Sequence, residues 1–201
     1  MKKKILVTGG AGYIGSKLSY ELIDRNEDVI IIDNLSTGSK KLVPKKARFF
    51  NTDLNNQKSV KDIFNKFNIK TIFHMAACTD VRESMSNPSK YYLNNVEATR
   101  QLLEISKNKI ENFIFSSTCA VYDTTKKNIV SETDSVSPKS VYGITKFLSE
   151  KIITNYSSLY KFNYAILRYF NVAGCDEKNR TGFIKSGPLF NNIAFNLTKK
   201  K

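Results

Sequence analysis

The chain has 201 residues, which suits one large domain, alone or with part of a second. Hydrophobic residues make up 41% of it, enough for a sizeable core, and no apolar run is long enough to span a membrane. The net charge of +14 invites a nucleic-acid interpretation, but the lysines are scattered along the chain and not gathered on one helix. We therefore expect no nucleic acid and no membrane among its partners.

The amino terminus and the cysteines both favour a cytoplasmic protein. A basic start precedes an apolar run, residues 5–7, that is too short for the hydrophobic region of a signal peptide. The cysteines are odd in number and lack the spacing of a metal site, so we expect free, reduced thiols and no bound metal. They are Cys78, Cys119 and Cys175.

Strand-length apolar runs alternate with longer segments of helical period along the chain. The runs are rich in Val, Ile and Phe, as is typical of strands buried on both faces. The predicted strands are residues 5–8, 29–33, 48–51, 71–75, 113–118 and 164–169, and the predicted helices are residues 13–26, 57–67, 90–107 and 141–160. This order predicts an α/β fold of the Rossmann type, a doubly wound parallel sheet. Beyond residue 172 the pattern changes, and residues 188–197 fit one further helix.

A glycine-rich loop joins the first predicted strand to the first predicted helix. Gly9, Gly12 and Gly15 keep a three-residue spacing, which allows a tight turn, backbone approach to a pyrophosphate and close packing of helix on strand. The positive end of the helix dipole would then face the phosphates. The alternative is a glycine turn in some other kind of α/β domain.

Two carboxylates follow the second and third predicted strands. Asp33 lies eighteen residues after Gly15, where a carboxylate accepts hydrogen bonds from the adenosine ribose and repels a 2′-phosphate. This position favours NAD over NADP as the cofactor. Asp53 lies where a carboxylate could bind the adenine amino group, and its alternative role is that of a turn-forming residue.

Tyr142 and Lys146 lie one helical turn apart at the start of the last predicted helix. The neighbouring ammonium and a bound nicotinamide cation would both lower the tyrosine pKa, so that Tyr142 could act as a general base. Two other Tyr-x-x-x-Lys pairs lie in loops, whereas this one follows a strand that ends in Ser116, Ser117 and Thr118. Thr118 could pass a proton or hold the reacting hydroxyl, unless these residues are only a hydroxyl-rich strand end.

His74 is the only histidine and lies in the fourth predicted strand. We expect it to be a hydrogen-bonded core residue or a cofactor contact rather than an acid or base. The sequence contains no Ser/His/Asp arrangement and no metal-ligand cluster.

Six segments together resemble the UDP-glucose 4-epimerases, within the extended short-chain dehydrogenase/reductases. They are VTGGAGYIGS (7–16), DNLS (33–36), YYLNNV (91–96), NFIFSST (112–118), YGITK (142–146) and LRYFNVAG (167–174). The resemblance runs from residue 4 to about residue 175. It implies an isomerase with NAD as cofactor and UDP-glucose or UDP-galactose as nucleotide-sugar substrate.

The resemblance also assigns a role to each matched position. It implies that Tyr142, Lys146 and Thr118 are catalytic, and that Thr118, Tyr142 and Asn171 bind the substrate. The implied reaction begins when Tyr142 takes the proton of the sugar 4-hydroxyl; hydride leaves C4, the 4-keto sugar rotates, and hydride returns to its other face. The implied cofactor-binding residues are Gly9, Gly12, Tyr13, Ile14, Gly15, Asp33, Asn34, Leu35, Ser36, Thr37, Gly38, Asp53, Leu54, Met75, Ala76, Ala77, Thr79, Asn95, Ser116, Tyr142, Lys146 and Phe170.

The sequence departs from the family pattern at two positions. Thr79 replaces a lysine beside the cofactor, and Asp123 replaces a glycine after the fifth strand. The segment 116–120 lacks the Asp-Glu pair of the nucleotide-sugar 4,6-dehydratases, which excludes that reaction.

The chain is also shorter than the family pattern. We expect residues 1–174 to form the NAD-binding domain and residues 175–201 to be the start of a substrate domain that is largely absent, as in a natural truncation or gene fragment. Such a chain would lack the family's last sheet strand and expose apolar surface. The alternatives are an inactive NAD-binding remnant and an epimerase or oxidoreductase for another nucleotide sugar. Family dimers pack through helices that correspond to residues 90–107 and 141–160, so the resemblance allows a homodimer.

Overall fold

The computed structural model describes residues 2–123, 129–182 and 197. Its six strands form one parallel sheet in the order β3-β2-β1-β4-β5-β6. This is the strand order of the doubly wound dinucleotide-binding fold, so the predicted fold class is confirmed. The strands are β1 (Lys4–Thr8), β2 (Val29–Asp33), β3 (Arg48–Asn51), β4 (Ile69–His74), β5 (Asn112–Thr118) and β6 (Asn163–Tyr169).

The helices agree with the predicted segments, with one addition. The predicted helix 90–107 is a continuous helical stretch that contains a π-helical turn, Tyr92–Glu97. A short helix that we did not predict begins after Asp80, whose side chain accepts a hydrogen bond from the main chain of Glu83. The helices are α1 (Tyr13–Asp24), α2 (Gln57–Lys66), α3 (Val81–Ser86), α4 (Pro88–Tyr91), α5 (Ala98–Ser106) and α6 (Val141–Tyr160). The helix predicted at residues 188–197 lies outside the described residues, apart from residue 197.

The central strands of the sheet are covered on both faces, which explains their apolar runs, whereas β3 and β6 at the two edges are partly exposed. All five residues of β2 are buried. Leu6, Ile30 and Ile72 pack in one cluster with residues of α2, α5 and α6. Val7 and Ile31 face the other way and pack in a second cluster with residues of α1.

The chain reverses its direction of winding at β1. From β1 it proceeds to β2 and β3 on one side, and then crosses to β4, β5 and β6 on the other. Because parallel strands end at one edge of a sheet, the divergent loops after β1 and β4 open a crevice at that edge. The fold therefore gathers the ends of β1, β2, β4 and β5 where the sequence predicts a ligand.

No helix in the described part of the chain is long and apolar enough to cross a membrane. Within the same residues, no cluster of three or more His, Cys, Asp or Glu side chains is arranged to hold a metal ion. Cys78, Cys119 and Cys175 are all free thiols.

Candidate active site

The glycine-rich loop leaves no room for side chains at two of its glycines. Gly9 has a φ of +68°, and a Cβ atom there would lie 2.7 Å from the main-chain nitrogen of Ala76, just after β4. A Cβ atom on Gly15 would lie 2.2 Å from the carbonyl oxygen of Gly9. Both distances are far below van der Waals contact, so the loop needs glycine at these positions. The loop thereby brings the start of α1 against the ends of β1 and β4.

The amino-terminal end of α1 is built differently from those of α2, α3, α4 and α6. Helix α1 begins after Gly12, which has no side chain to cap it. The other four begin after residues whose side chains accept a main-chain hydrogen bond, namely Asn56, Asp80, Asn87 and Ser140. An uncapped helix start that points into a crevice is suited to an anion such as a pyrophosphate. The cradle that the glycines preserve therefore fits the phosphates of a dinucleotide.

The carboxylate of Asp33 is tied to the loops around this cradle. It accepts hydrogen bonds from the main-chain N–H of Ala11 at 2.9 Å and of Leu35 at 2.8 Å. An ionised carboxylate has about four lone-pair positions, so Asp33 retains acceptors for the ribose hydroxyls that we predicted. The loop after β2 also lies against the glycine-rich loop, because Ser39 donates its main-chain N–H to the carbonyl of Ala11 at 2.9 Å.

Among the predicted cofactor residues of this loop, Asn34, Ser36 and Thr37 are exposed, whereas Leu35 and Gly38 are half-buried. Leu35 has a φ of +59°, a left-handed conformation that side chains other than Asn or Asp rarely adopt. The amide oxygen of Asn34 accepts a hydrogen bond from the main chain of Ser36 at 3.0 Å and closes a tight turn. The turn shapes the wall that would face the adenosine ribose.

Asp53 takes the turn-forming role that we gave as its alternative. Its carboxylate accepts a hydrogen bond from the main-chain N–H of Asn55 at 2.8 Å and another from the side chain of Asn34 at 2.6 Å. Partial burial raises the pKa of Asp53, but these donors outweigh it and lower the pKa below its usual value. The adenine contact predicted for Asp53 stays a prediction, and the neighbouring Leu54 is buried.

The loop after β4 forms the next part of the crevice. Met75, Ala76 and Ala77 are half-buried there and Thr79 is exposed. Asn95, in the π-helical turn, is 2% exposed and binds this loop through both ends of its amide. The amide oxygen of Asn95 accepts a hydrogen bond from the main-chain N–H of Cys78 at 2.8 Å. Its amide nitrogen donates to the main-chain carbonyl of Cys78 at 3.0 Å and to the hydroxyl of Thr145 in α6 at 3.1 Å. Asn95 therefore fixes the loop after β4 to α6.

His74 is a fully hydrogen-bonded core residue, as predicted. Thr99 donates its hydroxyl to the carbonyl of Asn95, so it accepts from Nε2 of His74 at 2.9 Å. Nδ1 is then the acceptor for the hydroxyl of Thr8 at 2.7 Å. Burial and the nearby Lys146 lower the pKa of His74 to about 3, so the ring is neutral.

Helix α6 places Tyr142 and Lys146 against the end of β5. Lys146 is 2% exposed, and its ammonium donates to the carbonyl of Ser116 at 2.7 Å. Tyr142 is 9% exposed and forms a side-chain hydrogen bond with Thr118. Its main-chain N–H is bound by the hydroxyl of Ser84 in α3 at 3.1 Å. The structure thus brings together the three residues predicted to be catalytic.

The pKa directions at this pair differ from the expected ones. Burial raises the pKa of the Tyr142 phenol above its usual value, and the hydrogen bond with Thr118 opposes the change only in part. Burial also lowers the pKa of Lys146 to about 7, although the charge of Glu150 acts in the opposite direction. The physical reason is that the ammonium is directed at a main-chain carbonyl and is itself desolvated. The protein alone therefore does not make Tyr142 a better base.

A buried ion pair beneath these residues was missed by the sequence reasoning. Glu150 of α6 is 3% exposed and receives two hydrogen bonds from Arg168 of β6, at 3.1 and 2.7 Å. Ser117 donates its hydroxyl to the same carboxylate, and Arg168 also donates to the hydroxyl of Tyr122 at 2.6 Å. The usable signal was the spacing of Glu150, four residues after Lys146 on the same face of the helix.

The segment after β6 crosses to the far side of the crevice. Phe170 and Asn171 are exposed at the strand end. Tyr13, at the start of α1, donates its hydroxyl to the carbonyl of Gly174 at 2.5 Å. Arg180 then donates to Asp24 at the end of α1 at 2.8 Å and to Asp176 at 2.7 Å. Residues 174–181 therefore lie along α1.

The fold and the site define a Rossmann-type dinucleotide-binding protein with a Tyr/Lys pair at the end of its fifth strand. The model of the NAD dependent epimerase/dehydratase family matches residues 5–193, and the chain belongs to this family. The UDP-glucose 4-epimerase of Lacticaseibacillus casei is 41% identical over 171 residues, which are 85% of this chain and 52% of that protein.

Two solved structures show the same similarity in three dimensions. UDP-glucose 4-epimerase from Brucella ovis, in complex with NAD, has a TM-score of 0.85 and 35% identity, covering 90% of this chain and 56% of that one. The enzyme from Thermotoga maritima, with UDP-glucose, has a TM-score of 0.80 and 34% identity, covering 86% and 57%. The chain spans about half the length of the curated relatives it matches.

Proposed function

We propose that this chain carries the cofactor-binding and proton-transfer half of an NAD-dependent nucleotide-sugar epimerase, acting on UDP-glucose and UDP-galactose. The observation that carries the proposal is the placement of Thr118, Tyr142 and Lys146 beside a glycine cradle built for a dinucleotide. The names of the relatives supply the substrate.

The residues around the cradle would hold the cofactor. The uncapped start of α1 at Gly12 would bind its pyrophosphate, and Asp33 its adenosine ribose. Lys146 would hold the nicotinamide ribose. NAD, when bound, supplies a hydride acceptor and donor for C4 of the sugar. The carboxylate of Asp33 disfavours a 2′-phosphate and so favours NAD.

Tyr142 and Thr118 would handle the proton of the sugar 4-hydroxyl. The Tyr142 phenolate would accept this proton when the 4-keto sugar forms, and the resulting phenol would return it when the hydroxyl forms again. The side chain of Thr118 interacts with the Tyr142 phenol and favours its ionised form, in opposition to burial. Because burial raises the tyrosine pKa, the base form of Tyr142 would depend on the positive charge of the bound nicotinamide.

The extent of the site is part of the proposal. We propose that residues 1–174 form the cofactor domain and that residues 175–201 begin a substrate domain. Phe170 would face the nicotinamide, and Asn171 would face the sugar nucleotide.

Two copies of the chain would pair through the α4–α5 stretch and α6, where Leu93 and Leu148 are exposed. Light scattering of the purified chain tests this pairing.

The deciding experiment is conversion of UDP-galactose to UDP-glucose by the 201-residue chain with added NAD. We expect Tyr142→Phe to reduce turnover by about 10²-fold or more while NAD binding is kept. Tyr164→Phe is the matched control. Tyr164 is exposed near the start of β6, at the edge of the sheet opposite the site, so this substitution should leave turnover unchanged. Folded protein that binds NAD but shows no turnover would contradict catalysis by this chain and favour the binding remnant.

A further inference from the structure

Glu150 continues the line of Tyr142 and Lys146 along α6. The three residues are spaced four apart and therefore share one face of the helix. Its carboxylate is 3% exposed, and none of the roles assigned above uses it. A buried acid next to a proton-transfer site calls for a physical explanation, because an isolated buried charge is costly.

Three consecutive residues of β5 meet this face of α6. Thr118 is hydrogen-bonded to Tyr142, the carbonyl of Ser116 accepts from Lys146 at 2.7 Å, and Ser117 donates its hydroxyl to Glu150. Strand and helix are thus joined at three successive turns. Because these contacts join one strand to one face of the helix, the contact at Glu150 helps to hold α6 against β5 where Lys146 and Tyr142 lie.

Glu150 also acts on the charge of Lys146. The lysine is desolvated by burial, which favours its neutral form, and the negative charge of Glu150 favours the ammonium. Arg168 binds both carboxylate oxygens, at 3.1 and 2.7 Å, and its positive charge weakens this influence. The other titratable groups that interact with the ammonium are the Cys78 thiol, after β4, and His74 of β4, which is neutral; the ammonium also lies 4.6 Å from the centre of the Phe115 ring.

We propose that Glu150 is a positioning residue that acts through Lys146. It holds the ammonium charged and directed at the carbonyl of Ser116, and Arg168 limits the strength of that effect. The role of Lys146 in turnover rests on the proposed function. The effect of Glu150 on Lys146 does not, and it can be measured without NAD or a nucleotide sugar.

The test is a pH titration of lysine side chains by NMR in the full chain labelled with 13C and 15N lysine. The Lys146 resonance is identified by its loss in Lys146→Arg, and it should titrate near pH 7, far below an ordinary lysine. We expect Glu150→Gln to lower this midpoint by about half a unit or more. Glu104→Gln, an exposed acid of α5, is the matched control and should leave the midpoint unchanged.

The double variant Glu150→Gln/Arg168→Gln separates charge from packing. Glu150→Gln leaves the guanidinium of Arg168 unpaired, whereas the double variant also removes this charge. We therefore expect the midpoint of the double variant to lie between those of Glu150→Gln and the unaltered chain. If Glu150 had a purely structural role, the Lys146 midpoint would change more in the double variant than in Glu150→Gln.

Two results would overturn the proposal. One is a Lys146 midpoint that stays unchanged in a folded Glu150→Gln variant, and the other is a midpoint in the double variant below that of Glu150→Gln. If Glu150→Gln does not fold, the double variant decides. Its midpoint must still lie below that of the unaltered chain, because the charge of Glu150 acts on Lys146 more strongly than the charge of Arg168 does.

Discussion

The β1–α1–β2 side of the crevice and its β5–α6–β6 side are built from different chemical groups. On the first side, the groups around the crevice are glycines, the uncapped end of α1 and the Asp33 carboxylate, which main-chain N–H groups hold in place. On the second side they are buried side chains, joined in a network that includes Lys146 and Glu150. The first side depends on the shape of the backbone, and the second on charge and hydrogen bonding between elements far apart in sequence.

This difference predicts how each side responds to substitution. A backbone cradle fails when any side chain enters it, because the clash cannot be relieved without moving the loop. A side-chain network is weakened but not blocked by the loss of one hydrogen bond, because the remaining bonds still join the same elements.

The largest effect is expected for Gly15→Ala. The new Cβ atom would lie 2.2 Å from the carbonyl oxygen of Gly9, so the loop must shift away from the start of α1. We expect NAD affinity to fall by about 100-fold or more, since the phosphates lose their aligned donors. Isothermal titration calorimetry with NAD measures this change.

Gly182→Ala is the matched control for that prediction. Among the residues that the structure describes, nothing lies within 4 Å of a Cβ atom on Gly182, so the same chemical change should leave NAD affinity unaltered. Equal affinity in the two variants would show that the glycine-rich loop does not hold the cofactor.

A smaller effect is expected for Asp33→Asn. The two carboxylate oxygens bind the main-chain N–H groups of Ala11 and Leu35, and an amide can accept only one of these bonds. We expect NAD affinity to fall by about tenfold and the preference for NAD over NADP to narrow. Binding of both cofactors is compared with that of Asp62→Asn, an exposed acid of α2. An unchanged preference would argue against the ribose role.

The same contrast explains what could be predicted from the sequence. The strands and the glycine loop were predicted because burial on both faces selects apolar runs and a tight loop selects glycine at fixed spacing. The helix at Val81–Ser86 was missed because it is only six residues long. The pair of Glu150 and Arg168 was missed because it joins α6 to β6 through tertiary structure; the spacing from Lys146 marks the helix face on which Glu150 lies but not its partner.

A third prediction concerns His74, which lies on β4 between the two sides of the crevice. The pH dependence of unfolding shows whether its ring is buried and closed to protons. Its pKa is lowered from 6.5 to about 3 in the folded chain, so the unfolded chain binds more protons between these values. Stability therefore falls as the pH decreases below about 6.5, by about 2 kcal/mol at pH 5. Urea unfolding at pH 7 and pH 5 should show this loss in the native chain and not in His74→Gln. Equal losses in both would mean that the ring is accessible to protons.

The smallest effect is expected where the segment 174–181 lies along α1. Arg180 binds Asp24 and Asp176, but both the arginine and Asp24 are partly exposed, and exposed ion pairs contribute little to stability. We expect Arg180→Gln to leave the melting temperature nearly unchanged and to speed amide hydrogen exchange in residues 174–181. High salt should act on the unaltered chain in the same direction. If exchange stays slow in the variant, the segment is held by the contact of Tyr13 with Gly174, on the cofactor side, and the backbone cradle extends beyond its glycines.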